Sequence, residues 1–281
     1  VIARRQGPEA RHGTTALTLW GGFASTVFVP LIQAMLGPFG WRGALVAMAA
    51  MNLVLCTALH LALAGDAGPR GRDQAASAPP RGAVRRAMAK PAFWWLGLSM
   101  TLYFLVSTAV GFHIYPMLLE HGYDTAEVVG AIAIIGPAQV AGRIAVWVLA
   151  RQWSVRAVGI ATTLAMAAAF ALPVVLPPGF ASLAVFAVVY GAANGIMTIV
   201  RGLSVPELIG PEAYGSINGA LGLPYTVAKA AAPAAAALLW SATGSYDAVL
   251  LAILAATVAM AGAFAAAAAC GRAGRGGAVT G

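Results

Sequence analysis

Charged side chains are scarce in this sequence. Asp, Glu, Lys and Arg make up 9% of its 281 residues, against about 25% in a soluble domain, and so few charges cannot cover a water-facing surface. Acidic groups are scarcer still: nine carboxylates stand against seventeen Lys and Arg, for a formal charge of +8. The basic residues fall in short stretches between apolar runs and form no face, which argues against a nucleic-acid partner. Two cysteines, Cys56 in an apolar run and Cys270 just beyond the last one, exclude a disulfide scaffold and suggest no metal site. There is no His-Glu-x-x-His, no nucleophile elbow and no phosphate loop, so neither catalysis nor a bound cofactor is expected. No secretory signal pattern opens the chain, since the first thirteen residues are polar and lead into a full-length apolar segment.

What the sequence does have is apolar length. Sixty per cent of its residues are hydrophobic and its mean hydropathy is +0.81. About 20 apolar residues are needed to cross the hydrocarbon, and eight runs meet that length: 14–36, 41–63, 93–119, 128–150, 157–176, 180–200, 216–239 and 248–269. The expected fold is an all-α integral membrane protein. A polar break at 64–90, carrying Arg70, Arg72, Arg81, Arg85, Arg86 and Lys90 against Asp66 and Asp73, separates two spans from six. The expected domains are a partial bundle at 1–63, a connector at 64–90, a six-helix bundle at 91–269 and a disordered Gly-rich tail at 270–281.

Charge asymmetry sets the expected orientation. With both termini in the cytoplasm, fifteen of the seventeen Lys and Arg lie on or near that side; Arg42 falls outside and Lys229 within the membrane.

Polar groups at membrane depth are the candidate site. Lys229 sits mid-span, where an ammonium costs about 2.5 kcal/mol or more unless water, a counter-charge or a ligand receives it. No Asp or Glu lies at that depth, so an anionic substrate is expected to bring the missing charge; a snorkelling or structural lysine is the competing reading. Pro224 and Pro233 are expected to interrupt its helix and free backbone groups for a ligand. His113, in the outer third of its span, is a candidate for substrate contact, for a coupling proton, or for an interhelical hydrogen bond. Tyr103, Gln139 and Asn194 are further candidates for substrate contact, or for interhelical bonds worth about 1 kcal/mol. Arg201 is expected to end its span at the cytoplasmic face, as a gating or anchoring group. Gly191 and Gly195 are expected at close helix contacts.

The span arithmetic and Gly40-Trp41-Arg42, opening the second span, resemble the major facilitator superfamily of permeases. The resemblance implies twelve spans in two six-helix halves, of which this chain would hold the fifth to the twelfth, so four further spans are expected upstream of Val1. The family's cytoplasmic loop between its eighth and ninth spans corresponds here to residues 149–156, with Arg151 where an aspartate and Ser154 where a glycine would stand; Gly142-Arg143 keeps the basic residue just inside the membrane. Arg143, Arg151 and Arg201 are thereby candidates for gating. The function implied is secondary transport of a small organic solute by alternating access through a bacterial inner membrane, with a carboxylate or other anion as the candidate solute and the proton as a candidate coupling ion. The alternative is a non-transporting sensor or assembly protein, or an inactive permease fragment.

Overall fold

The computed structural model describes residues 10–65, 82–149 and 153–276. All regular structure among them is helical. The chain divides into two compact units, the smaller being Phe23–Pro80 and the larger taking in Arg81–Gly281 with Val1–Gly22.

The smaller unit takes in α1 (Ala10–Gly65) from Phe23 onward; this helix is in reality two helical stretches that meet at Gly40. Gly40 has φ 63°, in the left-handed region where a Cβ would be strained. The expected four-residue connection at 37–40 is thus a kink at one glycine. Beyond it Leu45, Val46, Leu53 and Val54 are exposed, as suits a helix solvated by lipid tails instead of water. The Arg42 guanidinium lies 4.5 Å from the centre of the Trp41 ring.

The larger unit begins with a short helix, α2 (Ala83–Met88), which buries Ala83 and Ala87 and packs against α7. The last part of the expected connector is therefore ordered and docked. α3 (Pro91–Glu120) starts with proline at its first turn, where the missing N–H costs nothing. Then come α4 (Thr125–Leu149), α5 (Val155–Val175), α6 (Phe180–Leu208), α7 (Tyr214–Thr243) and α8 (Tyr246–Gly276). Ser154 caps α5 by accepting from the Ala157 N–H at 3.2 Å, and Gly244 closes α7 at φ 70°, the left-handed C-terminal position that favours glycine.

α3 packs on α7 and α8, α4 on α6, and α5 on α6 and α8. Small residues allow the closest of these contacts. A Cβ added to Gly142 would stand 2.6 Å from the Ala192 carbonyl oxygen, and one added to Gly195 would overlap the Gln139 backbone. Gly191, likewise, faces the Ile135 carbonyl. Lipid is as apolar as leucine, so helices in it associate by such close packing and by hydrogen bonds. The stacked and edge-on rings of Phe170, Phe186 and Tyr190 fill the α5–α6 contact, while Ser99 donates to the Met260 carbonyl at 3.1 Å between α3 and α8.

Three sequence expectations change. The sixth apolar run does not end near residue 200, because α6 continues to Leu208. The tail is not irregular from residue 270: α8 runs to Gly276, Gly271 is buried, and Arg156 donates to its carbonyl at 3.1 Å. The third change concerns α7, which passes through Pro224 and Pro233 as a continuous helix. Apolarity marks where lipid stops, whereas a helix continues as long as its backbone bonds and its packing do.

Six helices among the described residues are long and apolar enough to cross a membrane: Ala34–Ala62 and the helical stretches beginning at Pro91, Thr125, Val155, Phe180 and Tyr246. α7 is long enough, with 30 residues, but Lys229, Asn218 and its two prolines dilute its apolarity. Most side chains of the first expected span lie outside the described residues. The chain is a multi-pass membrane protein.

Candidate functional site

Three helices converge midway along the larger unit. Tyr103 and Phe104 lie near the centre of α3, Asn194 at the centre of α6, and Lys229 at the centre of α7. The Tyr103 hydroxyl donates to Asn194 Oδ1 at 2.8 Å, with Ser107, one turn further along α3, at 3.5 Å from the same oxygen. Tyr103 is buried, so this bond satisfies a phenol that water does not reach.

One residue along α6, the Gly195 carbonyl accepts from Arg143 Nε at 3.2 Å, and Thr198 Oγ1 stands 3.3 Å from the same nitrogen. Arg143 reaches α6 because Gly142 and Gly195 bring the two helices together. It is 6% exposed, yet its Nη1 is buried with no hydrogen-bond partner among the described residues. A buried guanidinium that keeps an unused donor is costly. Arg143 is thus held against α6 beside the Tyr103–Asn194 pair.

On the other side of Tyr103, Phe104 organises a second cluster. Tyr225 stacks on its ring with centroids 4.5 Å apart. The Arg201 guanidinium lies 5.1 Å and the Lys229 ammonium 5.9 Å from the ring centre. Tyr225 and Lys229 are four residues apart on α7 and so share a face. Both cations are exposed, and neither has a carboxylate partner among the described residues. Arg201 is not at a helix end, as expected from sequence; seven further residues of α6 follow it, and its charge lies in the Lys229 cluster.

The other candidates divide. Gln139 is half-buried; its backbone packs against Gly195, and its side chain does not bond to the cluster. Arg151 lies outside the described residues. His113 is ten residues beyond Tyr103 on α3, about 15 Å along the helix, and is engaged elsewhere: its Nε2 lies 3.0 Å from the Pro233 carbonyl and its Nδ1 3.0 Å from the Tyr246 hydroxyl. A carbonyl only accepts, so Nε2 carries the proton and Nδ1 of the neutral ring accepts from Tyr246. A proline at 233 also removes the N–H that would have bonded the Lys229 carbonyl.

At the same end of the bundle Glu120 accepts from the Tyr246 N–H at 2.6 Å and from Trp240 Nε1 at 2.9 Å. His121 pairs with Asp247 at 3.0 Å. These bonds tie α3 to α7 and α8.

Sequence reasoning missed Phe104, Tyr225 and Ser107. The four-residue spacings Tyr225–Lys229 and Tyr103–Ser107 were visible, but an aromatic in an apolar run looks the same whether it faces lipid or a cation.

Residues 1–233 match the Major Facilitator Superfamily profile. The chain is also similar to Monocarboxylate transporter 13 of Rattus norvegicus, 28% identical over 238 residues that cover 77% of this chain and 52% of that protein. It therefore spans about half the length of the curated relative it matches.

Proposed function

Because the chain belongs to the Major Facilitator Superfamily, we propose that it is a transporter that moves a small organic anion, a carboxylate, by alternating access, with Lys229 and Arg143 receiving the acid group. The observation that carries this reading is the set of cations at the centre of the larger unit. Arg143, Arg201 and Lys229 approach Tyr103 and Phe104 from three helices with no protein carboxylate among the described residues to neutralise them. An anion replaces the lost hydration of such groups, whereas a neutral or cationic solute leaves it uncompensated. Arg143 suits a carboxylate through its planar donor fork, and Lys229 adds a point charge from α7. The name of the rat relative supports a carboxylate over other anions.

In the same reading the chain supplies the fifth to twelfth spans, residues 64–90 and both termini face the cytoplasm, and the membrane is a bacterial inner membrane. The central position of Lys229 fits the midplane sites of transporters that rock two bundles about a fixed ligand. Driving force comes from a proton gradient, with His113, which bridges α3 to α7 and α8, as the candidate proton carrier: a proton gained at Nδ1 would make it donate to the Tyr246 hydroxyl oxygen, reversing the direction of that bond.

Replacing Lys229 with glutamine tests the site. Carboxylate binding to the whole polypeptide in vesicles should fall about tenfold to a hundredfold, the worth of a hydrogen-bonded charge, at unchanged membrane abundance. Equal binding by the variant, or a transported solute that is neutral or cationic, would refute the reading.

A further inference from the structure

Lys229 and Arg201 are exposed cations near the middle of the larger unit with no carboxylate partner among the described residues, so other contacts must set their position. The shared neighbour of both is the ring of Phe104. Its own position is set on two sides: Tyr225 stacks on it at 4.5 Å with an interplanar angle of 29°, and Tyr103 meets it edge to face at 5.1 Å with an angle of 63°. Tyr103 is in turn anchored to Asn194. A ring restrained in this way presents a fixed quadrupole to cations arriving from α6 and α7.

The chemistry of that partner matters. A carboxylate beside Lys229 would neutralise it and compete with any incoming anion. An aromatic face attracts an ammonium or guanidinium without cancelling its charge, by an amount that grows as the site loses water. Two like charges that repel each other can both be held near one ring, and both remain available.

We propose that Phe104 is the positioning residue of the anion site: its ring holds Lys229 and Arg201 in place while leaving their charge to the substrate. The inference rests on the anion reading given above and adds to it a residue that need not touch the acid group itself. It makes the binding strength of the anion depend on the electrons of the Phe104 ring as well as on its shape.

Fluorination separates those two properties, because each added fluorine drains the ring face and changes its size little. With mono-, di- and trifluorophenylalanine at position 104 of the whole polypeptide in vesicles, the KM for a carboxylate should rise stepwise, to about fivefold for the trifluoro ring. The maximal rate and membrane abundance should stay within twofold. Phe104→Trp should bind at least as well as the unaltered protein, and Phe104→Leu should bind about as weakly as the trifluoro form. A flat KM across the fluorine series, or a leucine variant that binds normally, overturns the proposal while leaving the effect of Lys229→Gln intact. If the unaltered protein binds no carboxylate at all, the anion reading falls and this inference falls with it.

Discussion

The middle of the larger unit and the end that carries Glu120 are equally polar, yet they use polarity in opposite ways. At the Glu120 end the polar groups bond to one another: His113 to Tyr246 and Pro233, Glu120 to Trp240 and the α8 backbone, His121 to Met117 and Asp247. In the middle, Arg143 keeps a buried nitrogen unbonded, and Lys229 and Arg201 rest on a ring. A network closed on itself holds helices together and has nothing left for a ligand. Unused donors and uncancelled charge mark where something else is meant to bind. The contrast separates two kinds of polar residue that composition alone treats alike.

The contrast can be broken most severely at the contact that delivers Arg143. Gly195→Val would drive a side chain into the Gln139 backbone, separate α4 from α6 and cost about 3 kcal/mol. Little folded protein should reach the membrane, as measured by size-exclusion profile and thermal melting, and a variant that melts normally would mean the close approach is dispensable. Smaller is the effect at the closed end. His113→Gln can keep one of two bonds, so stability should fall by about 1 kcal/mol, and carboxylate uptake should lose its dependence on an imposed proton gradient. An unchanged gradient dependence would leave His113 a purely structural tie. Least affected should be Asp247→Asn, whose side chain is 76% exposed; a pair so open to solvent contributes no more than about 0.5 kcal/mol, and a large loss of thermal stability would show that the closed end is more cooperative than its separate bonds imply.

Much of the fold was legible in the residues. The apolar runs located the helices of the larger unit because lipid demands both length and a satisfied backbone, and those demands leave a strong imprint. Their ends were less legible: α6 continues past Arg201 to Leu208 by packing against neighbours, which no local run of letters displays, and α8 continues past the last apolar run to Gly276. In the site, Lys229, Tyr103 and Asn194 stood out as polar groups at depth, and all three lie in the central region. His113 stood out for the same reason and lies elsewhere, since polarity at depth says that a partner exists without saying which. Phe104 was invisible, because its role depends on which cations face it, and that is decided by how α3, α6 and α7 meet.

The two prolines of α7 carry a mechanical consequence. Pro224 and Pro233 bracket Lys229, and each removes one rung of the backbone ladder, at the carbonyls of Ala220 and Lys229. A continuous helix with two missing rungs behaves as three stiff rods on soft joints, since bending there stretches no hydrogen bond. The middle rod, two and a half turns long, carries Tyr225 and Lys229 together. It can swing toward or away from α3 while the ends of α7 stay docked, one against α2 and the other through Trp240 to Glu120. The lever arm that moves the charge is thus shorter than the helix that bears it.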